Sequence, residues 1–135
     1  MYNIVNRYND IRTIVRNAAL CHKRAEDVVM LLPVSKRFPA TDIRLLAEAG
    51  CLQFGENYVQ EALEKMALLE DLEIVWHFIG PIQSNKTRDI AQHFEWVHGL
   101  DRIKIAKRLN EQRPADMNPL QVCIQVNISN EPQKA

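Results

Sequence analysis

Glycine is scarce in this sequence. The four glycines among 135 residues are too scattered to build the GxGxxG turn of a dinucleotide site. Cysteine is equally sparse: Cys21, Cys51 and Cys123 are odd in number, lie far apart and form no CxxC pair, which predicts reduced thiols rather than a disulfide framework. Charge of one sign is not in excess. Seventeen basic residues balance seventeen acidic ones, so no overall field draws in nucleic-acid phosphates or anionic lipid. No apolar run approaches the roughly 18 residues of a spanning helix, and the polar start MYNIVNRYND lacks the apolar core of a secretion signal. These absences predict a cytoplasmic protein with neither membrane nor nucleic-acid partner. What is present is ordinary for a globular protein, with 47% apolar and 25% charged residues, and the length predicts a single domain over residues 1–135.

Periodicity organises the chain. Ile4, Tyr8, Ile11, Val15 and Ala18 recur at steps of four and three, predicting an amphipathic helix over 2–20. VVMLLPV at 28–34 is too short for a comfortable helix and predicts a first strand buried on both faces, although Pro33 removes a ladder donor. Ile43, Leu46 and Ala47 predict a short helix stopped at Gly50, and LQF at 52–54 a second strand. Asn57 with Gln60 resembles a capping box ahead of a helix carrying Val59, Leu63, Met66 and Leu69. EIVWHFIG at 73–80 and EWVHG at 95–99 predict strands three and four, flanking a weaker helix capped by Ser84 or Asn85 and running through Ile90 and Phe94. Asp101 is the predicted cap of a helix with Ile103, Ala106 and Leu109 on one face, and LQVCIQVNI at 120–128 the fifth strand. Strands alternating with helices predict an α/β fold with parallel pairing. Two architectures remain open on this pattern: a doubly wound sheet, or the first part of an eight-stranded barrel.

In either case ligands bind at the carboxyl ends of the strands, which here means Ser35–Lys36, Gly55–Asn57, Gly80–Thr87, His98–Asp101 and Asn127–Asn130. Lys36 follows the apolar run directly. An ammonium at the mouth of an apolar wall loses hydration, and the neutral amine so favoured can condense with a carbonyl; the plain alternative is a solvated lysine closing a strand. GPIQSNKT at 80–87 departs from the phosphate-cradling GxxxxGK[ST] loop only at Asn85, so a nucleotide site using Lys86 and Thr87 stands beside an ordinary strand-to-helix loop. His77 and His98 have no partner at metal-ligand spacing and read as hydrogen-bonded structural histidines. Glu56, Glu61 and Glu64 read as solvated or as helix-dipole partners rather than as a paired acid and base. No metal site and no catalytic residue is predicted.

The sequence resembles a known family, the pyridoxal phosphate homeostasis proteins, also described as YggS-like or proline-synthase co-transcribed proteins. LLPVSKRFP is similar to the strand ending in that family's cofactor lysine, FGENYVQEALEK to its FGENxxQE signature, and WHFIGPIQSNK to its HFIGxLQxNK signature; LDRIKIAKRLN and LQVCIQVNIS follow in the expected order. The resemblance implies a (β/α)₈ TIM-type barrel preceded by a helix, similar to the N-terminal domain of alanine racemase (fold type III of the pyridoxal phosphate proteins). It implies that Lys36 holds pyridoxal 5′-phosphate (PLP) as an internal aldimine, with Asn57, His77 and Gly80 around the ring. It also implies a carrier that buffers the cofactor or delivers it to PLP-dependent apoenzymes, rather than an enzyme. The enzyme alternative is a racemase or decarboxylase of the same barrel class using Lys36.

One departure bears on all of this. A barrel of this kind takes about 250 residues, and the sequence stops after its fifth strand. The expectation is an incomplete barrel domain without strands six to eight or the phosphate-gripping loops that follow strands seven and eight. Its open strand edges are expected to self-associate, and its cofactor binding to be impaired.

Overall fold

The structure, a computed structural model, describes residues 3–132. Helix α1 (Ile4–Cys21) opens the chain, capped by the Asn3 side chain, which accepts from the Asn6 N–H at 3.0 Å. Ile4, Val5 and Tyr8 pack against the core, but further along the expected stripe Ile11 is 44% exposed. Helix α2 (Ala40–Glu48) follows, and then strand and helix alternate: β1 (Gln53–Glu56), α3 (Val59–Leu68), β2 (Val75–Phe78), α4 (Thr87–His93), β3 (Trp96–Leu100), α5 (Ile103–Gln112) and β4 (Gln121–Ile124). A single turn of 3₁₀ helix, Ser84–Lys86, leads into α4.

The four strands form one sheet in the order β1-β2-β3-β4, every pair parallel. Gly55 aligns with His77, and His77 with Trp96. The order never reverses, so the sheet lacks the switch point of a doubly wound fold, and crossovers of one hand bring the helices to one face. That face is the core. Phe54, Trp76, Phe78 and Val97 point into it from the strands and meet Ile43, Leu46, Ala62, Ile90, Phe94, Ile105 and Leu109 from the helices. Phe54 and Trp76 lie 6.2 Å apart and Phe78 meets Phe94 edge-on at 5.3 Å. The opposite face carries Gln53, Gly55, His77, Trp96 and His98.

The expected first strand is the main correction. Over 28–34 only Val34 pairs, through one bridge to Gly55, and Val28, Val29 and Met30 are 47%, 46% and 57% exposed rather than doubly buried. The bonds that do form lie at its end, where Gly55 N–H donates to Pro33 O at 2.8 Å and Ser35 N–H to Gly55 O at 2.9 Å. Pro33 has no N–H to give, and the run has one sheet neighbour where burial on both faces requires two. Among the described residues four strands and one bridge therefore stand where five strands were expected. Two caps also differ. Tyr58 and Arg102, neither of which caps its helix through a side-chain hydrogen bond, hold the N-cap positions expected of Asn57 and Asp101.

Candidate functional site

A parallel sheet gathers the ends of its strands, and the expected site residues lie near one end of this sheet. The Val34–Gly55 bridge sets Lys36 beside the end of β1, Asn57 follows β1, and Gly80 follows β2. Asn57 and Gly80 are in direct contact: a Cβ on Gly80 would lie 2.7 Å from the Asn57 carbonyl oxygen. One on Gly99 would lie 2.9 Å from the Gly80 carbonyl oxygen. Backbone therefore packs on backbone across three strand ends, a spacing that only glycine permits. Alongside lies a cleft of about 900 Å³ whose walls include Ile79, Gly99, Arg102, Gln125 and Asn127. Asn57 does not build the expected capping box; its Oδ1 is buried and has no hydrogen-bond partner among the described residues.

Lys36 is exposed, so the apolar wall expected around it is not there. The reason lies in the segment before it, which has a sheet neighbour on one side only. The backbone around Lys36 is nonetheless firmly held. Ser35 is buried, and its hydroxyl donates to Glu56 Oε1 at 2.6 Å. Arg37 adopts left-handed geometry, φ 64°, which a non-glycine residue holds only when its surroundings impose it. The Arg37 N–H donates to Glu61 Oε1 at 2.5 Å, and its guanidinium lies over the Tyr58 ring at 5.8 Å.

Beneath this turn sits a buried ion cluster. Lys65, on α3, donates to Ser35 O at 2.7 Å, Glu56 Oε1 at 2.7 Å and Glu61 Oε1 at 2.6 Å. These three acceptors match the three donors of an ammonium. Glu56 is fully buried, not solvated as expected, because its strand position faces the helices and Lys65 meets it there. Partial desolvation pushes the Glu61 carboxyl up, but the Lys65 and Arg37 donors outweigh it and hold the group below the usual carboxylate value. The sequence did carry a signal for this cluster, the Glu61–Lys65 spacing of four on one helix.

His77 lies within β2, short of the strand end. Its Nε2 is 2.6 Å from Gln53 Oε1, a carbonyl oxygen that can only accept, so Nε2 carries the proton and Nδ1 accepts from His98 Nε2 at 3.0 Å. Trp96 stacks on the His77 ring at 5.6 Å. Burial first, and His98 second, bring the His77 pKa down to about 4, so it is neutral at pH 7; burial also lowers His98. Each is a hydrogen-bonded histidine, as expected. Among the described residues no group of three His, Cys, Asp or Glu side chains is placed to hold a metal ion.

The FGEN segment thus forms β1 and its turn, with Gly80 of the HFIG segment packed on Asn57. Known proteins resemble the chain along its whole length. A pyridoxal phosphate homeostasis protein of Pseudomonas aeruginosa is 54% identical over 135 residues, covering 100% of this chain and 59% of that protein. Its namesake in Escherichia coli K12 is 46% identical over 138 residues, again 100% and 59%. PipY of Synechococcus elongatus PCC7942, solved without PLP, superposes with a TM-score of 0.85 at 36% identity, covering 98% of this chain and 58% of that one. The chain is thus similar along its whole length to the pyridoxal phosphate homeostasis proteins. PipY with PLP bound matches with a TM-score of 0.63 at 44% identity, over 72% of this chain and 46% of that one. No protein-family model matches the chain. The chain spans about 59% of the length of these curated relatives.

The structure bears on the phosphate-loop alternative. GPIQSNKT is a strand-to-helix connection whose Thr87 is buried, its hydroxyl donating to Ser84 O at 2.9 Å and accepting from Arg108 Nε at 3.1 Å. A hydroxyl so engaged is not presented to a phosphate-bound cation. Among the described residues no helix is long and apolar enough to cross a membrane.

Proposed function

We propose that this chain is a carrier of pyridoxal 5′-phosphate, with Lys36 as the residue that holds it and Asn57, Gly80 and His77 as the surroundings of the ring. The observation that carries the reading is the exposed Lys36 amine on a held backbone, beside strand ends where backbone packs directly on backbone. The unpartnered buried Asn57 Oδ1 is a free acceptor at the same place. These features fit the carbonyl end of the cofactor. When bound, the cofactor supplies an aldehyde that condenses reversibly with a primary amine. Lys36 offers that amine, Gly80 and Gly99 let the neighbouring strand ends pack backbone on backbone beside it, and His77, neutral and locked between Gln53 and His98, forms a wall that neither gives nor takes a proton at pH 7.

A carrier fits better than a racemase or decarboxylase. Both imidazoles are committed to each other, and the relatives are named for homeostasis rather than for a reaction. Delivery to PLP-dependent apoenzymes belongs to the same proposal. So does the reading of the sheet as part of a (β/α)₈ barrel in a single incomplete domain: its parallel, sequential order suits a barrel. Among the described residues β4 pairs with β3 alone, and Ile124, Val126 and Ile128 are 75%, 70% and 90% exposed, so a second copy meeting this edge is the expected partner.

The test is to mix the protein with PLP, reduce with borohydride and locate the modified lysine by peptide mass. Modification concentrated at Lys36 and suppressed by phosphate analogues supports the reading. Uniform modification of surface lysines, indifferent to those analogues, refutes it. Sedimentation across a concentration series checks self-association.

A further inference from the structure

We infer that Lys65 is a positioning residue for Lys36, acting through the backbone on both sides of it. The inference rests on the reading of Lys36 as the cofactor lysine. A residue's φ and ψ are the rotations between its two flanking peptide planes, and here both planes end on one ion pair. The Ser35 carbonyl, in the plane before Lys36, accepts from Lys65 Nζ at 2.7 Å. The Arg37 N–H, in the plane after it, donates to Glu61 Oε1, the oxygen that also accepts from Lys65 Nζ at 2.6 Å. Glu56 closes the arrangement, taking Lys65 Nζ at 2.7 Å and the Ser35 hydroxyl at 2.6 Å on one oxygen. The amine of Lys36 is therefore launched from a backbone clamped at both peptides, while its side chain stays exposed.

Stability alone does not account for this cluster. Taking an ammonium and a carboxylate out of water is costly, and apolar side chains of similar size commonly serve a core as well or better. Lys65 is 6% exposed and Glu56 0%, so both ions bear that cost. What apolar side chains cannot supply is a fixed direction: three donors from one nitrogen to three named acceptors, two of which reach the neighbours of Lys36. Left-handed Arg37 points the same way, since a strained residue persists where the surrounding structure over-determines it.

The experiment compares wild type, Lys65→Met and Glu61→Ala in the full chain. Glu61 is the gentler change, since its side chain is 30% exposed and its loss leaves the Lys65–Glu56 pair intact. The readouts are the rate of borohydride-trapped PLP capture at Lys36, the ratio of capture at Lys36 to capture at exposed Lys104 and Lys107, and hydrogen exchange at the Arg37 amide. The expected result is a fall in rate and in ratio of about tenfold or more for Lys65→Met, toward the roughly hundredfold that misplacing a reacting group by about 1 Å can cost. Glu61→Ala is expected to lower both in the same direction and to speed Arg37 exchange while its thermal melt stays close to wild type, which a merely structural role would not produce. If wild type captures at Lys36 and Glu61→Ala does so with unchanged rate, ratio and Arg37 exchange, the positioning role is refuted and the cofactor reading stands. If wild type itself shows no preference for Lys36, the cofactor reading fails, and this inference with it.

Discussion

Acid should weaken this fold through one histidine. His77 is 1% exposed on the face of the sheet opposite the helices, between Gln53 and His98 and under Trp96. Burial and the adjacent His98 depress its pKa from 6.5 to about 4. The unfolded chain therefore holds a proton between those values that the folded chain refuses. Stability from this group is complete above about pH 6.5, falls as pH drops through the window, and is flat below about pH 4, where both states are protonated. At about 1.4 kcal/mol per pH unit, the full descent is worth on the order of 3 kcal/mol, a large share of what a domain this size has to lose. The assay is urea unfolding followed by tryptophan fluorescence at half-unit steps from pH 7.5 to 4, for wild type and for His77→Asn, which cannot titrate. Other titrating groups are common to both proteins, so subtracting the profiles reports His77 together with its bonded partner His98. Wild type should lose on the order of 3 kcal/mol more than the variant across the window. Parallel profiles would mean that the imidazole accepts its proton in the folded state and that the Gln53–His77–His98 chain is not as tight as its distances indicate.

Gly80→Ala should destabilise by about 1–3 kcal/mol in thermal or urea unfolding, since its Cβ would lie 2.7 Å from the Asn57 carbonyl oxygen and backbone cannot swing aside as a side chain can. Phe78→Ala should cost about 3–5 kcal/mol, because the ring is 2% exposed and packs edge-on against Phe94 in the centre of the core. Arg113→Met should cost about 2 kcal/mol by equilibrium unfolding, as its guanidinium donates to Ala91 O at 2.7 Å and Phe94 O at 2.6 Å at the end of α4 and leaves both carbonyls short of a donor when removed.

Much of the architecture was legible as pattern. The spacing of Ile4, Tyr8 and Val15 located α1, and the apolar runs around Phe54, Trp76 and Val97 located β1, β2 and β3, because burial of one face imposes a period that the residues carry with them; β4, around Val122, was legible as an apolar run although all four of its residues are exposed. The family resemblance was legible too, in FGENYVQEALEK and WHFIGPIQSNK, whose residues also build the Asn57–Gly80 contact and the Lys65 cluster.

What the chain could not announce locally were the outcomes that depend on a distant neighbour. VVMLLPV reads as a buried strand by composition, yet strandhood is a matter of partners, and over this run only Val34 has one. Asn57 has the type and spacing of a cap, but the chain's approach to Gly80 moved the cap position to Tyr58. Glu56 and Lys65 look like surface charges, and only the return of Ser35, thirty positions earlier than Lys65, to the same point makes a buried pair of them. Side-chain identity therefore determined which segments become helix or strand and which family they resemble. The tertiary structure alone decided where charge could be buried and how the backbone around Lys36 is held, because both require groups far apart in sequence to satisfy one another at hydrogen-bond distance.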